Sequence, residues 1–308
     1  MALTVALTIF LVMGLLGLIA YFLGVGGVEL IVFVTVLAGL FVGLQYAVAP
    51  LLLSKLCRLR DPRSSERWLV EDVKMLAEQA GVPPPEVKVA RDPTPNAFVF
   101  GWSRSRAFLV VHEGLLDMLD RDEVRAVIGH ELGHVRHRDF VILTLLSVIP
   151  VIAYFILRVT PFVGWEGGDQ DEGFVWLLLI GLIALVVYLA SQLLILALSR
   201  CREYYADAHS AQLTGRPQDL INALSKISYG MTYYQRRTAS TPGALRAFYI
   251  IDPAESKELQ ARDERLRYYM ERERRRSRWV EPFLTHPPTY KRIAFLKKLA
   301  REMGVFLE

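Results

Sequence analysis

The stretch "GHELGHVRHRDF", Gly129–Phe140, runs without a gap into "VILTLLSVIPVIAYFIL", Val141–Leu157. The first half sets two histidines four residues apart with a glutamate between them, the pattern of a metal that activates water. The second half carries no charge and has the composition of a lipid span. This junction decides the fold, because a hydrolytic site needs water on one side and a membrane segment must avoid it on the other.

Working outward, 53% of the 308 residues are hydrophobic, and four long stretches hold no charge: Met1–Val28, Leu30–Ser54, Phe140–Leu157 and Gly173–Ser199. A helix rises about 1.5 Å per residue, so about 20 apolar residues cross a hydrocarbon core about 30 Å thick. The first, second and fourth stretches meet that length. The third is at the short limit and contains Pro150, so a buried core helix is its other reading. The first stretch has no Lys or Arg near Met1 and is longer than a signal-peptide core, which points to a retained helix.

Lys55, Arg58, Arg60 and Arg63 follow the second stretch, Arg121, Arg125, Arg136 and Arg138 precede the third, and Arg200 and Arg202 follow the fourth. The connection "RVTPFVGWEGGDQDEG" is acidic, and "GVGG" between the first two stretches is uncharged. The positive-inside rule then places both hairpin loops outside and both termini in the cytoplasm. Cys57 and Cys201 fall on that reducing side, where a structural disulfide is not expected. The expected fold is an α-helical membrane protein with four transmembrane helices in two hairpins and a cytoplasmic α+β zincin-like domain. Residues 1–54 form the first hairpin and 140–199 the second. Residues 55–139 and 200–308 supply the two parts of the cytoplasmic domain.

In the first part, "SSERWLVEDVKMLAEQAG" reads as an amphipathic helix begun by Ser64 or Ser65 and ended by Gly81. "EVKVA", "AFVFG" and "AFLVVH" read as strands, followed by a short helix over 113–119 and another opening at Asp120 with a capping box to Glu123. The second part reads as mostly helical. Its segment Arg262–Trp279 has eight Arg against four acidic residues, which suits either a solvated helix or attraction to anionic headgroups. No nucleic-acid recognition motif accompanies the charge.

On a helix His130 and His134 lie on one face and can share one Zn²⁺, with Glu131 placed as general base. A catalytic zinc needs a third protein ligand. His137 lies seven residues after His130, about 10.5 Å along the same stripe of a straight helix, and three histidines on one line cannot surround a tetrahedral ion. The better source is "SRCREYYADAHSAQLTG", where Glu203 and Asp207 share a helix face. That spacing suits one carboxylate as ligand and a second that orients an imidazole. His209 lies off that face and reads as structural.

"VIGHELGHVRHRD", "SRCREYYADAHSAQLTG" and "THPPTYKRI" together resemble the HtpX-type membrane zinc metalloproteases, gluzincin relatives of the CaaX prenyl protease. The resemblance covers nearly the whole chain. It implies one Zn²⁺ per chain held by His130, His134 and Glu203, catalysis by Glu131, and Asp207 behind the ligands. It also implies help from His286 and Arg292 in stabilising the tetrahedral intermediate. "PNAFVFG" resembles the family's substrate-binding edge strand, which makes Asn96, Ala97, Phe98, Val99 and Phe100 candidates for contact with an extended peptide. An ordinary strand with Phe98 and Phe100 in the core fits the same residues.

The expected activity is a multi-pass cell-membrane endopeptidase that cuts membrane or unfolded proteins at the cytoplasmic face. A role in stress-linked quality control follows from the resemblance alone. An intramembrane protease is disfavoured by the charges crowding the motif, each costing a few kcal/mol at mid-bilayer. CaaX processing is disfavoured because four spans are too few for a large enclosed chamber. A zinc-dependent sensor or scaffold without turnover would have no use for Glu131.

Overall fold

The structure, a computed structural model, describes residues 57–146, 172–235, 281 and 284–307, together with positions 43, 44, 47, 51, 149, 150, 153, 154 and 157. Most of the expected first two spans and all of Arg262–Trp279 lie outside these residues, and the third stretch is described in part. The chain divides into two units, one of residues 1–48 and 142–195, the other of 49–141 and 196–308.

In the first unit a small cluster joins Ile149, Ala153 and Val187, with Ile183 and Tyr188 against it. Leu178, Leu182, Val186, Leu189 and Leu193 are all exposed. That is an apolar stripe of helical period facing outward, as lipid contact requires and water disfavours. Among the described residues one helix, Leu178–Thr214, is long and apolar enough to cross a membrane. It belongs to the helix Glu172–Thr214, which continues past the apolar stretch into the segment bearing Glu203 and Asp207.

The second unit is α+β. β1 (Leu59–Arg60), β2 (Glu86–Ala90), β3 (Ala97–Ser103) and β4 (Arg106–His112) form one sheet in the order β1-β2-β4-β3. β2 and β4 run parallel, and the other pairs are antiparallel. Period-2 alternation sorts the side chains. Val87, Val89, Ala97, Val99, Ala107, Leu109 and Val111 enter the main core with the helices. Ala90, Phe98, Phe100 and Val110 pack on the other face with Cys57, Leu59 and Phe108.

The helices, in chain order, are α1 (Arg67–Ala80), α2 (Glu113–Met118), α3 (Arg121–His137), α4 (Asp139–Leu146), α5 (Glu172–Thr214), α6 (Pro217–Gln235) and α7 (Thr289–Glu302). α1 departs from expectation at its start. Ser64 and Ser65 do not cap it but lie in a 3₁₀ turn, Ser64–Glu66, whose Glu66 carboxylate receives Arg63 N–H and the Arg60 guanidinium. Gly81 ends α1 in the left-handed region as expected, at φ 67°. Asp120 and Glu123 make the predicted capping box of α3. α3 does not pass smoothly into the next segment: Arg138, at φ 57°, breaks it, and α4 starts afresh at Asp139.

Candidate metal centre

α3 and the latter part of α5 approach closely because both carry small residues where they cross. A Cβ added at Gly129 would come within 3.2 Å of Ser210, and one at Gly133 within 3.0 Å of the Ala206 Cα. Ser210 Oγ donates to the Ala126 carbonyl, and His209 Nδ1 meets the Gly129 carbonyl at 3.2 Å. His209 is thus structural, as expected. Gly129 directly precedes His130, and Gly133, against Ala206, directly precedes His134, so the close crossing sets His130 and His134 against the turn of helix that bears Glu203.

The donor atoms of His130, His134 and Glu203 all lie within 4.8 Å of one another. His130 Nε2 and His134 Nε2 are 3.2 Å apart, and the two Glu203 oxygens each lie 3.5 Å from one of these nitrogens. Ligands about 2.0–2.1 Å from a tetrahedral zinc would stand about 3.3 Å apart, so the spacing fits. Glu203 Oε2 is buried without a hydrogen bond, an acceptor that a cation would satisfy. His137, by contrast, is exposed at the end of α3, with its ring near Tyr205 and His209.

Each imidazole has a carboxylate on its far nitrogen. His130 Nδ1 is 3.0 Å from Asp207 Oδ1, and Asp207 takes two bonds from Arg292, at 2.6 and 2.9 Å. His134 Nδ1 is 2.6 Å from Asp139 Oδ2, and Asp139 Oδ1 pairs with Arg202. Burial alone would lower His130, yet Asp207 and Glu203 push its imidazole up to about 9. Burial would raise Glu203, but His286, Arg292, His130 and His134 hold it well below the usual carboxylate range. The centre is built to hold positive charge between fixed anions.

Glu131 is buried, which pushes its carboxyl up. His286 Nε2 lies 3.5 Å from Glu203 Oε1, with Thr285 Oγ1 2.9 Å from its Nδ1. Arg292 is fully buried and also reaches Glu203 at 3.3 Å, so its guanidinium faces the carboxylates.

β3 is an edge of the sheet among the described residues. The His112 N–H donates to the Asn96 carbonyl, and the register pairs Phe98 with Val110 and Val99 with Leu109. Antiparallel alternation then turns the backbone groups of Phe98 and Phe100 toward β4 and those of Ala97 and Val99 away from it. Phe98 and Phe100 side chains are buried, as is Asn96, so the ordinary-core reading of the two phenylalanines holds alongside the edge position. The hairpin tip is tied to α3 by the Arg104 guanidinium, which donates to the Arg136 carbonyl.

Sequence reasoning passed over Asp139 and Arg202. On an unbroken helix Asp139, five residues past His134, would lie about 140° around the axis. The left-handed Arg138 brings it back. An Asp just after a helix that ends in basic residues was the available signal.

A model of peptidase family M48 matches residues 63–300. A "Protease HtpX homolog" of Aeropyrum pernix is 35% identical over 290 residues, covering 92% of this chain and 91% of that protein. A "Protease HtpX homolog 2" of Methanosarcina acetivorans is 35% identical over 274 residues, covering 89% of this chain and 86% of that one. Among solved structures, Ste24p of S. mikatae has a similar fold, with a TM-score of 0.56 at 16% identity, covering 96% of this chain and 63% of that one. With a candidate ligand set assembled and its relatives matched over most of their length, the chain belongs to peptidase family M48 and is an HtpX-like membrane metalloprotease.

Proposed function

We propose that the protein is a zinc-dependent endopeptidase that cuts membrane or unfolded polypeptides at the cytoplasmic face, in protein quality control. The observation that carries this reading is the meeting of His130, His134 and Glu203 donor atoms beside a buried glutamate. Zinc held by these three residues would polarise a scissile carbonyl and make water a better nucleophile.

The chain's own groups do the rest. Asp207 and Arg292 hold His130 with its far nitrogen turned to the carboxylate. The Glu131 carboxylate takes a proton from the attacking water and delivers it to the leaving amine, a role that its raised affinity for protons suits. Thr285 Oγ1 meets His286 Nδ1 at 2.9 Å; with the hydroxyl as donor in that contact, His286 would carry its proton on Nε2, where it can stabilise the developing oxyanion. Arg292 works through the carboxylates it neutralises. The outward backbone groups of Ala97 and Val99 pair with an extended peptide, which gives affinity with little sequence preference. The basic flanks of the apolar stretches support the cytoplasmic placement, and the HtpX relatives support the quality-control role.

The test is Glu131→Gln in the purified full chain, given an unfolded membrane protein with zinc or with a chelator. Proteolysis is expected to vanish while bound zinc stays at wild-type content. Turnover near wild type would sink the mechanism.

A further inference from the structure

We propose that Asp139, locked by Arg202, is the positioning residue for His134. The centre holds two parallel chains of contact. One runs His130–Asp207–Arg292 and follows from the family pattern; the other runs His134–Asp139–Arg202. An Nδ1–H donated to a carboxylate fixes an imidazole's tautomer and leaves the Nε2 lone pair for a metal. His134 Nδ1 stands 2.6 Å from Asp139 Oδ2, closer than the 3.0 Å between His130 and Asp207.

The burial of this pair asks for a reason. Asp139 and Arg202 side chains are 8% and 6% exposed. Arg202 Nε and Nη1 are buried without hydrogen-bond partners. A buried ion pair with unfilled donors is a poor stabiliser, because desolvation offsets the attraction. Orientation supplies the reason. Arg202 directly precedes Glu203 on α5, and Asp139 follows the break at Arg138, so the pair ties the His134 ring to the helix that carries the third ligand. It thereby sets the angle at which the two halves of the centre meet.

The inference rests on the metal-centre reading and is tested without turnover. The full chain is stripped of metal, then titrated with Zn²⁺ against a chromophoric chelator, and separately loaded with Co²⁺ for its visible spectrum. Asp139→Asn should weaken zinc binding about 10- to 100-fold and alter the Co²⁺ bands. Asp139→Asn leaves Arg202 buried without its anion and could fail to fold. The pair Asp139→Asn with Arg202→Met removes both charges, and should show the same loss of affinity with the metal-free melting point retained. Arg202→Met alone should cost less than Asp139→Asn, because the carboxylate still reaches His134. Wild-type zinc affinity and an unchanged Co²⁺ spectrum in the folded double variant would overturn the proposal. A wild-type chain that binds no zinc would instead overturn the metal-centre reading beneath it.

Discussion

At the residue scale the centre separates ligands from bystanders by burial and by what faces each group. Glu203 is 4% exposed and surrounded by His130, His134, His286 and Arg292. Removing its carboxylate takes away a proposed ligand and leaves the buried Arg292 guanidinium without one of its anions. Glu203→Ala is therefore expected to lose zinc almost entirely, as read by elemental analysis of the purified protein. His137 is exposed and outside the cluster, so His137→Ala should keep full zinc and change stability by no more than about 0.5 kcal/mol. The reverse pattern would mean that the third ligand is misassigned. Both histidines of the motif were legible from spacing; the carboxylate pair Glu203 and Asp207 was legible from spacing read beside that motif. Asp139 was not, since its reach to His134 depends on one left-handed residue that no periodicity announces.

At the element scale, two features of the secondary structure set the site. The α3–α5 crossing uses Gly129 and Gly133 against Ser210 and Ala206. Gly→Ala within a helix ordinarily gains about 0.8–1 kcal/mol. At Gly133 the added Cβ would meet the Ala206 Cα, a backbone atom, at 3.0 Å, and overpacking costs about 1–3 kcal/mol. Gly133→Ala is thus expected to lower the unfolding free energy by about 1 kcal/mol and to weaken zinc binding. A gain in denaturant midpoint would show that the helices part freely. The second feature is the β3 edge. Val99 turns its N–H away from β4, so Val99→Pro removes an outward donor while the β3–β4 ladder keeps its bonds. Peptide cleavage should fall, chiefly through a higher KM, with zinc content unchanged, and Val99→Ala should be milder. A zinc-loaded Val99→Pro enzyme with normal KM would exclude pairing through that N–H.

At the scale of the whole molecule, the candidate ligands come from two segments separated by the apolar stretches, and α7 supplies the arginine that neutralises Asp207. The unfolded chain cannot present such a site, so metal binding adds to folding stability. Zinc at 100 times its Kd should add about 2.7 kcal/mol and raise the melting temperature. Glu131→Gln should show the same rise, because its ligands are intact, whereas Glu203→Ala should show almost none. Equal melting curves with and without zinc in the wild type would contradict a native centre.

The sequence by itself determined the membrane character, the three strands of the edge hairpin and its neighbour, the capped helix of the motif and the three candidate ligands. All of these follow from local signals: charge-free length, alternation of two, spacing of four, and capping residues. Tertiary structure alone decided how those parts meet. Whether Arg292 faces substrate or Asp207, which way Val99 points its N–H, and how Asp139 returns to His134 depend on a helix crossing, a strand register and a broken helix. Each of these joins residues far apart in the chain or turns on one backbone angle, and neither leaves a period in the sequence to read.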